Sequence, residues 1–258
     1  MDTFIGVAAH KEYSMPEGDI YHPIQVGSAL HNQIKGYFHD NEGENISEKN
    51  LNYSELTAVY YLWKSIKSDV KGIVHYRRLL AAKGGHKKTL GQAEIESIIS
   101  SGKIILPRRR NYVIETNYSH YAHAHNIQDL DETRKIIEER YPDYAQFVDV
   151  VFNRTSAHMF NMFIMGSTEF DAYSAWLFDI LFELEKKIDI SDYSVQEARV
   201  FGYISELLLD VWVEKNNIPF VERPVIYLEG QHLLRKVVSF MQRKVLGQGD
   251  THITSKVD

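Results

Sequence analysis

The residues with the greatest chemical reach are His75, Tyr76, Arg77 and Arg78, which directly follow the apolar run Gly72-Ile73-Val74. A β-branched run too short for a helix reads as a buried strand, so this basic group stands at a strand's end. Ligands of open α/β sheets bind outside the carboxyl ends of the strands, and two guanidiniums beside an imidazole and a phenol suit an anion. Neighbours on an extended chain alternate faces, so one of Arg77 and Arg78 is expected to face the site and the other to support it. The competing reading is two arginines closing a strand into water. A second run, residues 103–107, also ends in basic residues, Arg108, Arg109 and Arg110. That recurrence strengthens the anion reading, although three consecutive arginines cannot all point inward.

Candidate carboxylates and amides lie elsewhere in the chain. Residues 196–215 read as a helix with an apolar stripe of Val200, Tyr203, Ile204, Leu207, Leu208, Val211 and Trp212. Glu206 and Arg199, seven positions apart, share roughly that face. A carboxylate among such neighbours needs a partner or a raised pKa, so a buried Arg–Glu pair and a general base both fit. Asn161 interrupts the apolar run 159–165, which reads as a buried strand; its amide must serve as a hydrogen-bonded anchor or a ligand contact. Glu55 stands three residues after Asn52, a capping-box pattern that assigns it a mainly structural role. His120, His123 and His125 form the densest imidazole cluster, and the spacing of the first two would suit a metal. With no carboxylate ligand motif beside them, a polar surface helix explains them better. Asp129-Leu130-Asp131 matches the Asp-x-Asp by which many sugar transferases hold a divalent metal. It follows polar residues and opens a charged helix, so helix capping is the better account.

These groups need a scaffold, and the chain supplies one. Its 258 residues, 44% of them hydrophobic, are enough for a substantial core in one domain with at most a small appendage. The net charge of -6 gives no reason to expect nucleic acid. There are no cysteines, which removes disulfides, thiolate zinc sites and cysteine nucleophiles. No basic leader and no apolar run of membrane-spanning length stands out, so a cytoplasmic protein is expected. Residues 3–9 read as a first strand followed by a loop, the usual opening of a nucleotide-binding α/β domain. Residues 14–37 read as irregular, with a strand end or turn at 24–27, and 40–52 as a long functional loop. Helices are expected at 53–64, 90–101, 130–141, where the helix should be solvated, and 170–187. Residues 84–88 form a basic loop that could act as a lid. Residues 220–227 read as an edge strand because of Pro224. Residues 232–246 read as a basic amphipathic helix, able to dock on protein or on the inner face of the cell membrane. The expected division is 1–230 for the main domain and 231–258 for this helix and tail.

Several blocks together resemble a bacterial glycosyltransferase family of capsule, exopolysaccharide and O-antigen gene clusters, first catalogued as a domain of unknown function. They are residues 43–47, Lys49-Asn50, Tyr53 with Glu55-Leu56-Thr57, the His75-Tyr76-Arg77-Arg78 block, 161–165, 176–181, and Arg199 to Gly202 with Glu206. The resemblance runs from about residue 4 to 227 and is most specific at the His-Tyr-Arg-Arg block. It implies a GT-A-like, Rossmann-related single domain with a central mixed sheet flanked by helices. The donor implied is a nucleotide diphosphate sugar, UDP-linked by preference; some members resemble galactofuranosyltransferases. The acceptor implied is an oligosaccharide or lipid-linked saccharide. With the resemblance in hand, Arg77 or Arg78, assisted by His75, is expected to stabilise the leaving diphosphate in place of some or all of a metal's charge. Glu206 is the candidate base. His10, Asn45, Asn50, Tyr53, Glu55, Tyr76 and Asn161 are expected around the donor, with Arg199 and Gly202 in support. No metal ligand is assigned, and a manganese or magnesium cofactor stays open. A non-catalytic carbohydrate-binding or scaffold protein of the same pathway and a nucleotide-sugar hydrolase are the alternatives.

Overall fold

The computed structural model describes residues 1–85 and 88–228. The chain begins with β1 (Thr3–Ala9), β2 (Tyr21–Gln25), β3 (Phe38–His39), α1 (Asn50–Tyr53), α2 (Leu56–Ser65), β4 (Val70–His75) and β5 (Arg78–Leu80). It continues through α3 (Gln92–Ser100), β6 (Ile104–Pro107), β7 (Arg110–Asn111), α4 (Asn117–Ala124), α5 (Ile127–Arg140), α6 (Ala145–Phe152) and β8 (Ser156–Ala157). It closes with β9 (Phe163–Gly166), α7 (Ser167–Lys187), α8 (Val200–Lys215), β10 (Phe220–Arg223) and β11 (Val225–Tyr227).

The main sheet runs β10-β6-β9-β4-β1-β2-β3, with β5 hydrogen-bonded to β4 and to β11. β1, β2, β3 and β4 are mutually parallel, as are β6 and β10, whereas β9 runs antiparallel between β4 and β6. This is the mixed, GT-A-like α/β sheet that the resemblance implies. Both faces are covered, and the strands show it by sending alternate apolar residues into two cores. Ile73, Ile104, Leu106, Phe163 and Met165 join a large core with α2, α5, α6, α7 and α8. Val70, Val74, Ile105 and Ile164 join a smaller one with Ile95 of α3. Gly72 permits the close approach at the centre, because a Cβ there would lie 2.7 Å from Ile164 and 2.9 Å from Ile5.

The antiparallel β9 has a consequence for chemistry. Ile73 of β4 pairs with Phe163 of β9, so the segment entering β9 arrives beside the carboxyl end of β4. Loops from both strand directions therefore meet at one edge of the sheet.

Some elements differ from the sequence reading. Pro23 lies inside β2, within the segment expected to be irregular; β3 pairs only at Ile24 and Gln25, so no ladder contact to β3 is needed at the proline. Residues 159–165 are not one strand: Phe160 and Asn161 form a left-handed turn, and the strand starts at Phe163. The α5 helix is not simply solvated, since Leu130, Thr133, Ile136 and Ile137 are fully buried. Its N-cap is Asn126. The expected helix at 232–246 and the rest of the division at 231–258 fall outside the described residues. Among those described, no helix is long and apolar enough to cross a membrane.

Candidate active site

The β4–β5 connection is a two-residue hairpin, with His75 paired to Arg78 across it and Tyr76 and Arg77 at its tip. This turn overrides the strict alternation expected of an extended chain, and both arginines line the same cleft. Each guanidinium lies over an aromatic ring: Arg77 is 4.9 Å from the Tyr76 centroid, and Arg78 is 4.5 Å from that of Phe160. Arg78 Nε is buried and, among the described residues, meets no hydrogen-bond acceptor.

The cleft has two connected parts. The larger, about 510 Å³, opens between the ends of β1 and β4, with His10, His31, Asn50, Leu51, Val195 and Arg199 among its walls. The smaller, about 220 Å³, is lined by Phe160, Gly202, Tyr203 and Glu206. Ser54, Glu55, His75, Arg78 and Arg199 border both. The first part adds His10, His31 and Arg77 to this shared wall, and the second adds the carboxylate of Glu206.

Backbone strain concentrates at this junction. Ser54 has φ 52°, Phe160 φ 79° and Asn161 φ 48°, all in the left-handed region that residues with a Cβ rarely adopt. Ser54 breaks the helical run into α1 and α2, so Glu55 is not the capping-box partner of Asn52; it begins a new helix and faces the cleft. Asn52 instead donates to the Ala198 carbonyl.

The Phe160–Asn161 turn holds three of the candidate groups. The Phe160 N–H donates to Glu206 Oε1 at 2.8 Å, and its carbonyl accepts from His75 Nε2 at 2.6 Å. Asn161 Nδ2 donates to Glu55 Oε1 at 2.6 Å and to the Gly202 carbonyl, while its Oδ1 accepts from Ser205. Below it, the buried His158 receives the same care: Asp210 accepts from its backbone N–H and faces its Nδ1, and Glu222 lies 3.0 Å from its Nε2.

Burial, reinforced by the nearby Glu55, raises the Glu206 pKa to about 8 against the pull of the Phe160 N–H, Arg78 and Arg110. Burial lowers the His75 pKa, with Glu55 and the Phe160 carbonyl opposing it and Arg78 and Arg199 assisting. A neutral His75 that donates from Nε2 presents Nδ1 as an acceptor. His10 is also lowered by burial, then by Arg77; its Nε2 is 3.5 Å from the Tyr76 hydroxyl.

His10, Asn50, Glu55, His75, Tyr76, Arg77, Arg78, Arg199, Gly202 and Glu206 thus border the cleft, and Asn161 braces it from beneath. Two expected donor contacts do not. Tyr53 is fully buried, stacked 4.4 Å from Phe201, because its ring completes the core between α1 and α8. Asn45 folds back on its own loop, donating to the carbonyls of Asn41 and Gly43. Arg199 does not pair with Glu206; its Nε donates to Ser54 Oγ. Ser54, Phe160 and Ser205 are not among the site residues expected from sequence, nor is the His158 clamp, and Tyr203, which reads there as part of an apolar stripe, lines the smaller part of the cleft. No local signal marks them, because their partners are tens of residues away.

Among the described residues no three His, Asp or Glu side chains group as metal ligands. Asp129 and Asp131 sit on α5 and accept from the hydroxyls of Tyr193 and Tyr118 respectively. They border a separate polar hollow of about 600 Å³. His120 and His123 both face Glu115, each at 2.9 Å.

The strand order and the basic cleft at the strand ends define a GT-A-like α/β domain. The chain belongs to the family described as "Domain of unknown function (DUF4422)", which it matches over residues 4–217. Its fold is similar to a solved structure described as the WbbM bifunctional glycosyltransferase in its apo form, with 28% sequence identity and a TM-score of 0.83. The match covers 89% of this chain and 46% of that one, so the chain spans about half the length of that protein. No curated protein sequence matches the chain.

Proposed function

We propose that the protein is a glycosyltransferase that moves a hexose from a nucleotide diphosphate sugar, a UDP-sugar by preference, to an oligosaccharide or lipid-linked saccharide. The observation that carries this reading is the cleft's polarity: Arg77 and Arg78 stand at the strand ends, and Glu206 lies beyond them across a shared wall. Leaving-group departure puts negative charge on the diphosphate, and guanidiniums already fixed in the cleft stabilise that charge without reorganising. The rings of Tyr76 and Phe160 hold them in place. In this reading the donor occupies the 510 Å³ part and the acceptor hydroxyl reaches the 220 Å³ part.

Glu206 in its carboxylate form takes the acceptor's hydroxyl proton as the new bond to the anomeric carbon forms. The bond from that carbon to the phosphate oxygen breaks, and its electron pair leaves with the diphosphate. His75 and Asn161 keep the base and its surroundings in register through the 160–161 turn. No step is assigned to a metal. The relative's transferase activity supports the same class of reaction, at the identity given above. Incubation with a panel of UDP- and GDP-sugars tests this: nucleotide release that depends on an added saccharide acceptor is expected. Release with water alone would indicate a hydrolase, and binding without release a carbohydrate-binding protein.

A further inference from the structure

The strained turn at Phe160 and Asn161 supplies one hydrogen-bond donor to each of two carboxylates that line the same small cavity. Two residues with positive φ in succession are costly, and the geometry they produce is specific. The amide of Asn161 cannot flip. Both protons of its Nδ2 are engaged, on Glu55 and on the Gly202 carbonyl, and its Oδ1 accepts from Ser205. Glu55 Oε1 is therefore held as an acceptor. Glu206 Oε1 is held likewise by the Phe160 N–H, so a proton on Glu206 must sit on Oε2.

The surroundings separate the two acids. Glu55 also borders the wider, basic part of the cleft, with His10, Arg77 and His31 among its walls, whereas Glu206 borders only the smaller part. The charged and titratable groups that face Glu206 are Glu55 from the α1–α2 junction, Arg78 from β5, Arg110 from β7, and Tyr112 just beyond it. His75 of β4, with Arg199 and Tyr203 at the start of α8, shares its cavity.

We propose that Glu55 and Glu206 work as a pair joined through the Phe160–Asn161 turn, with the charge of Glu55 making Glu206 the stronger proton acceptor. Glu55 is then a positioning and tuning residue that acts through Glu206, and Asn161 is the brace that fixes its orientation. In turnover Glu206, as carboxylate, takes the proton of the acceptor hydroxyl onto Oε2 and sheds it to solvent after product leaves. The elevated Glu206 pKa agrees with this arrangement. The idea rests on the assignment of Glu206 as base, and its test is built so that the two can fail separately.

The test is a carboxyl-carbon NMR titration of the full chain, free of ligand, for the wild type and for Glu55→Gln and Glu55→Asp. Glu55→Gln keeps an oxygen for Asn161 but removes the charge. The Glu206 titration should move down by about one pH unit or more in Glu55→Gln, and stay near the wild-type position in Glu55→Asp. A Glu206 titration unmoved by Glu55→Gln, or moved equally by Glu55→Asp, overturns the pairing. The kcat/KM profile with the sugar donor selected by the panel should show its acid limb shifting in parallel. Glu206→Gln that retains full turnover refutes the base assignment, whatever the titration of the pair shows.

Discussion

Replacing Glu206 by Gln should make the protein more stable, and by an amount that grows with pH. The Glu206 pKa stands at about 8 in the folded chain, against an ordinary value of 4.5. Between those values the folded state holds a proton that the unfolded state has released, so stability falls as pH rises through this window. Above about pH 8 the folded chain carries the whole cost of a buried carboxylate. A pKa unit corresponds to about 1.4 kcal/mol, which sets a ceiling near ~5 kcal/mol for the separation found here. Partial access of solvent to the cavity reduces the expected effect to about 2–3 kcal/mol. Gln preserves the acceptor for the Phe160 N–H and has no charge to bury. Urea unfolding midpoints of both proteins at intervals from pH 5 to pH 9 would measure the difference. The gain should be small at pH 5 and near its maximum at pH 8.5. A gain that is constant across the range, or a loss that increases with pH, would refute the reasoning, because neither follows from a carboxylate whose ionised form is disfavoured.

Other substitutions bear on separate parts of the account. Arg78→Met should lower kcat/KM at least about 100-fold, the usual effect of deleting one charge-stabilising donor, while folding is retained; steady-state kinetics measures it. Asn161→Ala should cost about 1–3 kcal/mol in denaturant unfolding by removing the buried hydrogen bonds of its amide to Glu55, to the Gly202 carbonyl and from Ser205, and should lower turnover as Glu55 loses its brace. His158→Phe leaves Asp210 buried without the imidazole, so a loss of about 3 kcal/mol is expected in the same assay. Asn45→Ala should leave kcat/KM within about twofold, since Asn45 bonds only within its own loop.

The position of the basic cluster was readable because β4 is apolar, β-branched and short, and because α8 carries a complete apolar stripe that makes Glu206 conspicuous. What escaped was long-range or concealed by local composition. The Tyr76–Arg77 hairpin contains no glycine or asparagine to announce it. Phe160 and Asn161 sit inside an apolar run that favours a strand, and nothing in their types signals positive φ. The partners that hold that turn, His75 and Glu206 on Phe160 and Glu55, Gly202 and Ser205 on Asn161, are all distant in sequence. Glu55 fits a capping box on local pattern, whereas the resemblance puts it at the donor site; the break at Ser54, with φ 52°, is what turns it to the cleft, and serine gives no sign of such a break. His158 meets Asp210 and Glu222 across separations of 52 and 64 residues, a distance over which spacing carries no information. The Asp-x-Asp at 129–131 reads from its surroundings as a helix cap, but Asn126 caps that helix and the two carboxylates accept from tyrosine hydroxyls, partners that spacing does not reveal.

The central claim is that Arg77 and Arg78 hold a nucleoside diphosphate. Calorimetric titration of UDP, with GDP in parallel, into the wild-type chain and into Arg77→Met and Arg78→Met in the presence of a chelator tests it most directly. Saturable binding by the wild type, weakened at least about tenfold by each substitution, is the expected result. Binding that is indifferent to both substitutions, or that requires added manganese, would contradict it.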